Sequence, residues 1–145
     1  MAIIEFKKLV ENENEIEGEG YLNLEEEFEK IIYSVFEFEI VREAFNYFGF
    51  DIRNVYFSFW LRYIPNTKKY EGEIYVDLPK VVLYDEFLKF VASKFPQFFK
   101  EYGEFGVEEA FNDFNRVNYL LYEFSHSFLL EKAFSLFMGL PKRAS

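Results

Sequence analysis

Large apolar side chains, phenylalanine above all, recur at every third or fourth position in two long stretches of this chain and at every second position in a third. That spacing constrains the fold more than any other feature, because a period near 3.6 builds one face of a helix and a period of two builds one face of a strand. The helical stretches are Leu24, Phe28, Ile31, Val35, Phe38, Val41, Phe45 and Phe48, and Val107, Ala110, Phe111, Phe114, Val117, Leu121, Phe124 and Phe128. The alternating one is Val55, Phe57, Phe59, Leu61 and Tyr63, whose opposite side carries Tyr56, Ser58, Trp60, Arg62 and Ile64. Rings on both sides mark it as a central strand.

The first helix is expected from Asn23 as N-cap, through Glu25, Glu26 and Glu27 in the first turn, to a stop at Gly49. Val35–Val41 also alternates as a strand would; the helical spacing is favoured, with a break near Glu39. The second helix extends through Leu130, Phe134, Phe137 and Met138 to Gly139. Residues 107 to 138 would span about 48 Å if unbroken. The helix must then bend near residues 125–127 or project and pair with a second subunit, and the second option predicts a homodimer. Between the helices, the strand from Ile52 to Ile64 and a return strand from Gly72 to Leu78 form a hairpin with a loop of six or seven residues. Ile3–Val10 reads as a further strand, with Ile4, Phe6 and Lys8 on one side. Asp85 caps a short helix running to Lys94, with Phe87, Leu88, Phe90 and Val91 inward, and Pro96 breaks it. Residues 97–102 supply one more turn, punctuated by Gly103 and Gly106. Helices before and after such strands give an α+β fold: a small antiparallel sheet of about three strands packed against two longer helices, the C-terminal one longest.

With 145 residues, the chain suits a single domain able to build a core without staples. Two segments stand outside that core. Residues 11–20 (ENENEIEGEG) hold five carboxylates, two glycines and no basic residue, and read as an exposed acidic loop. Residues 140–145 read as a short flexible tail. The 21 Phe, 11 Tyr and one Trp are more rings than one domain of this size is expected to hide, so some should line an interface.

The balance of 16 basic against 26 acidic residues gives a net charge of −10. That field favours solubility, cations and basic proteins, and opposes nucleic acid and anionic lipid. The absence of cysteine excludes thiol catalysis, disulfides and thiolate metal sites. Ala2–Phe6 followed by Lys7 and Lys8 lacks the features of a targeting signal, and no apolar run is long enough to span a bilayer, so a cytoplasmic protein is expected. Abundant Glu and Tyr without Cys suit a heat-adapted chain. No glycine-rich phosphate loop is present: EGEG at 17–20 lacks the lysine and hydroxyl that would follow. No cofactor is implied.

The chemistry that remains points to three functions. The first is a non-enzymatic interaction module in which carboxylates between Glu11 and Glu29, chiefly Glu25, Glu26, Glu27 and Glu29, bind a basic, nucleic-acid-handling partner or, in the sharpest form, inhibit it, with rings forming the desolvated centre. The second is a divalent-metal nuclease or phosphoryl-transfer enzyme built on carboxylates. Glu73 and Asp77 are four apart on a strand and share a face, and Glu86 begins the next helix. The third is single-strand nucleic-acid binding through the hairpin, where Arg53, Trp60, Arg62, Lys68 and Lys69 combine cationic and stacking groups. The single histidine, His126, has Ser125 and Ser127 beside it, but adjacent helical residues do not face one another, so it reads as structural or surface rather than catalytic.

Overall fold

Eight elements follow one another in the computed structural model, which describes residues 3–78 and 81–139; the expected tail at 140–145 lies outside the described residues. The order is β1 (Ile4–Glu11), β2 (Glu15–Leu22), α1 (Glu25–Ile32), α2 (Phe38–Tyr47), β3 (Val55–Ile64), β4 (Lys69–Val76), α3 (Tyr84–Lys94) and α4 (Pro96–Met138). The strands form one antiparallel sheet in the order β1-β2-β3-β4. The chain groups into two compact units. One takes the residues up to Asn23, Arg53–Asp77 and those from Tyr122 onward; the other takes Leu24–Ile52 and Leu78–Leu121.

The sheet has four strands, one more than expected, because the segment read as an acidic loop contains β2. Its sequence alternates: Glu15, Glu17 and Glu19 fall on one side, and Ile16, Gly18, Gly20 and Leu22 are buried on the other. The glycines are there because rings need the space. A Cβ on Gly18 would lie 2.7 Å from Cζ of Phe59 and 3.1 Å from Cε1 of Phe6. Those rings and Phe57 form the inner layer of the sheet: Phe6 meets Phe57 and Phe59 edge-on at 5.8 and 6.2 Å, and Phe57 stacks with Phe59 at 6.0 Å. The strand's apolar bulk is thus supplied by neighbouring strands.

β1 carries a bulge between Phe6 and Lys8. It reverses the sidedness expected beyond it: Phe6 stays inward, opposite Gly20, while Lys8 moves to the outer side opposite Glu19 and Leu9 pairs with Gly18. One inserted residue, Lys7, is enough because side-chain direction has a period of two. β3 is central as expected, with Val55, Phe57, Phe59 and Leu61 buried. The turn after it is shorter than expected. Lys68 adopts a positive φ of 55° and donates its N–H to the Pro65 carbonyl at 3.3 Å, so β4 begins at Lys69, opposite Ile64. The C-terminal part of α4 packs on this inner face. Tyr70 meets Phe134 and Phe137 at 5.3 and 5.4 Å, and Ser125, Leu129, Ala133 and Phe137 are buried.

The buried line of α4 therefore runs through every fourth residue from Leu121, not through Phe124 and Phe128 as the phenylalanine spacing suggested. Those two rings are half-buried and stack on each other at 6.1 Å. No bend occurs at residues 125–127; the one residue of α4 outside helical dihedrals is Gly103, at φ 63° and ψ −158°. Pro96 opens α4 at its first position, where a missing N–H costs nothing, besides ending α3.

In the other unit, α1 and α2 replace the single helix expected over residues 24–48. The break lies at residues 33–37, ahead of the expected Glu39, and the strand alternative at Val35–Val41 does not form. Leu24, not Asn23, precedes the first helical residue. Gly49 ends α2 in the expected way: at φ 78° it lets Phe50 N–H reach the Phe45 carbonyl (2.9 Å) and its own N–H reach that of Asn46 (3.2 Å), closing the helix with a Schellman pair. The core is a phenylalanine cluster. Phe45 sits 5.1 Å from Phe28, 5.0 Å from Phe50 and 4.9 Å from Phe114, and Phe87 lies 5.5 Å from Phe114. Asn118 interrupts the buried stripe of α4, and its Oδ1 has no hydrogen-bond partner.

Candidate functional site

Antiparallel sheets commonly bury one face and leave the other in water, and here the outer face gathers most of the chemistry of the sheet. Register places its side chains in rows across the strands. Glu17, Trp60 and Glu73 form one row; Lys8, Glu19, Ser58 and Tyr75 the next; Glu15, Arg62 and Glu71 a third; and Glu5, Tyr21 and Tyr56 a fourth. Side chains directly opposite on neighbouring strands have Cβ atoms about 5 Å apart, so Trp60 stands between two carboxylates. A hollow of about 250 Å³ opens beside it, lined by Lys8, Glu17, Glu19, Ser58, Trp60 and Tyr75 among others.

The polar groups of this face are tied to one another. Arg62 donates from Nε (3.0 Å) and Nη2 (2.5 Å) to Glu71 Oε1, and its guanidinium lies 5.4 Å from the centre of the Trp60 ring. Tyr56 donates its hydroxyl to Glu19 at 2.7 Å, and Tyr75 donates to Asp77 at 3.2 Å. Both phenols titrate above the ordinary tyrosine range. For Tyr56 the main cause is the hydrogen bond to Glu19; for Tyr75 it is the negative charge of Asp77, then the hydrogen bond. Tyr21, Tyr56 and Tyr75 continue as a row of rings at 5.9 and 6.3 Å.

The residues singled out in the sequence are dispersed by the fold. Glu73 lies in β4 opposite Trp60. Asp77 follows β4 and is held by Tyr75, and its N–H donates to the Tyr56 carbonyl at 2.9 Å. Glu86 belongs to the other unit, where its Oε1 accepts the Leu83 N–H at 3.1 Å and caps α3. Among the described residues, no group of three or more His, Asp or Glu side chains is arranged to hold a metal ion.

The α1 carboxylates find partners on their own chain. Lys30 lies 3.7 Å from both Glu26 and Glu27. Glu29 and Arg42 form a two-pronged pair, with the Nη2–Oε1 arm at 3.1 Å. Arg42 also lies over the rings of Phe28 and Tyr33, at 5.9 and 5.8 Å. Of the basic residues on the hairpin, Lys68 is in the turn and Lys69 opens β4, both exposed, and Arg53 precedes β3. Arg62 is the one that approaches Trp60. His126 is half-buried beside Tyr122, with rings 6.0 Å apart.

Comparison of the chain with family models, with curated proteins and with solved structures gives no significant match. Function therefore rests on this geometry. Among the described residues no helix is long and apolar enough to cross a membrane. Glu17 and Glu19 fall in the segment expected to be a loop, and the signal that identifies them is the strict alternation of glutamate with isoleucine or glycine from Glu15 to Gly20.

Proposed function

We propose that this protein is a non-enzymatic interaction module whose outer sheet face binds a basic segment of a partner protein. The observation that carries the reading is the position of Trp60 between Glu17 and Glu73, with a guanidinium already resting on its ring. An indole flanked by carboxylates attracts lysine and arginine twice, through the ring quadrupole and through charge. The same carboxylates repel phosphate, which weighs against single-strand nucleic-acid binding at Trp60. The α1 carboxylates are a weaker candidate than the sequence suggested, because Lys30 and Arg42 offset their charge. Inhibition of a nucleic-acid-handling partner is the functional form expected if the basic segment captured is one that otherwise contacts phosphate.

The test is titration with heptalysine, read through Trp60, the single tryptophan of the chain. Binding should weaken steeply with salt. Replacing Glu17 and Glu73 together by glutamine should weaken it about fivefold to thirtyfold at low salt, each exposed charge contributing roughly 0.5–1 kcal/mol. Replacing Glu25, Glu26 and Glu27 should change it by less than about twofold. Equal affinity for the wild type and the Glu17/Glu73 variant would refute the assignment to this face.

A further inference from the structure

The sheet has two edges, and they are not alike. β1 carries a bulge and two consecutive lysines, Lys7 and Lys8, devices that discourage a further strand from adding. β4 has no irregularity in its register. Among the described residues no strand pairs with its far side. The hydrogen bond from Asp77 N–H to the Tyr56 carbonyl sets the phase of the β3–β4 ladder, because hydrogen-bonded and open positions alternate along an antiparallel strand. Glu71, Glu73 and Tyr75 therefore turn their backbone groups toward β3. Tyr70, Gly72, Ile74 and Val76 turn theirs outward.

Beside that outward edge is an apolar hollow of about 230 Å³. Its floor is Gly72 and Ile74, its wall on α4 is Leu130, Ala133 and Phe134 with His126 at one end, and Glu71 and Glu73 stand at its rim. Gly72 leaves the floor bare of a side chain: a Cβ there would meet the Trp60 carbonyl oxygen at 2.5 Å. The two sides of the edge differ in chemistry. Toward α4 it is apolar, and toward the outer face it presents Glu71, Glu73 and Tyr75.

We infer that β4 accepts an extended basic segment of a partner as a fifth, edge-added strand lying alongside β4, with its inner side against α4. This deepens the reading of the outer face as a site for basic segments, on which it rests. A strand placed about 4.8 Å from β4 makes main-chain hydrogen bonds to Gly72 and Ile74. Its alternate side chains then fall on opposite sides. Those on the outer side fall beside Glu71 and Glu73 at the spacing of two residues that the pleat dictates; Glu71 is already held by Arg62, so Glu73 is the carboxylate that selects lysine or arginine. Those on the inner side enter the hollow against Leu130, Ala133 and Phe134, which selects small or branched apolar residues. A single sequence pattern, basic and apolar in strict alternation, satisfies both.

The probe is the capped peptide Lys-Val-Lys-Val-Lys-Val-Lys, compared with heptalysine and with the alternating peptide N-methylated at every second residue. The alternating peptide should bind at least tenfold more tightly than heptalysine, and it should slow amide exchange at Gly72 and Ile74 by tenfold or more. N-methylation in the register that faces β4 should remove both effects. Leu130→Gln, on an exposed wall residue, removes the apolar contact without changing the charge, and should weaken the alternating peptide about tenfold and leave heptalysine unchanged. If both peptides bind equally and Gly72 and Ile74 exchange freely in the complex, strand addition is overturned while the outer face still stands as a basic-segment site. If the alternating peptide binds and protects those amides but heptalysine does not bind at all, strand addition is upheld and the outer-face reading fails. A free protein that sediments as a dimer with these amides already protected would also overturn the proposal, because the edge would then belong to a second copy.

Discussion

Replacing Gly18 by alanine tests the claim that β2 exists because its glycines accommodate rings from neighbouring strands. The new methyl carbon would stand 2.7 Å from Phe59 Cζ, 3.0 Å from Cε2 and 3.1 Å from Phe6 Cε1. Ordinary carbon contacts begin near ~3.5 Å, so the Phe59 ring must retreat by most of an ångström. It has little room, being 3% exposed and held between Phe57 and Phe6. Overpacking of this kind costs about 1–3 kcal/mol. The narrower unfolded ensemble of alanine returns about 0.4–1 kcal/mol, leaving a net loss of about 1–2 kcal/mol. In a chain of this length that lowers Tm by roughly 3–8 °C. Urea unfolding followed by Trp60 emission measures the loss directly. A double-mutant cycle with Phe59→Leu separates the clash from any intrinsic effect of alanine, because a smaller, more adaptable side chain at 59 should recover about 1 kcal/mol of coupling. A Gly18→Ala protein as stable as the wild type, or a cycle that closes with no coupling, would refute the account of why β2 is a strand.

Other positions give independent checks. Gly20→Ala should destabilise more than Gly18→Ala, and no side-chain substitution should rescue it, because its Cβ would overlap the backbone of Glu5; urea unfolding of the single and combined variants tests this. Glu37 titrates above the ordinary carboxylate range, through burial first and then the charges of Asp113, Glu109 and Glu39. Its proton is therefore held more tightly in the folded state, so the fold loses stability as pH rises through that raised pKa. Glu37→Gln should melt higher than wild type at pH 7, with the gain gone at about pH 4. Glu29 behaves oppositely: its hydrogen bond to Arg42 lowers its pKa, so the pair stabilises above the ordinary carboxylate pKa and loses its contribution as pH falls below it. Arg42→Met should cost about 0.5–1 kcal/mol at pH 7, discounted for partial exposure, and the difference from wild type should shrink in acid. Asn118→Leu removes a buried carbonyl oxygen that lacks a partner and should raise stability by about 1 kcal/mol in the same urea assay.

What the sequence determined by itself was local. The spacing of Val55, Phe57, Phe59 and Leu61 specified a buried strand face, the run from Val107 specified a long helix, and Gly49 specified the end of α2, because each of these depends on neighbours within a few residues. Tertiary structure decided what depends on distant residues. Glu15–Leu22 is a strand because Phe6, Phe57 and Phe59 fill the space its glycines leave, and nothing within the segment announces those rings. Ser125, Leu129 and Ala133 face inward, ahead of Phe124 and Phe128, because the side of α4 that meets the sheet is fixed by packing across the core and not by the size of the helix's own side chains. The clustering of Glu17 and Glu73 around Trp60 joins three strands. Only their register brings together residues separated by 43 and 13 positions in the chain, and register is settled by pairing across the sheet rather than by any one strand.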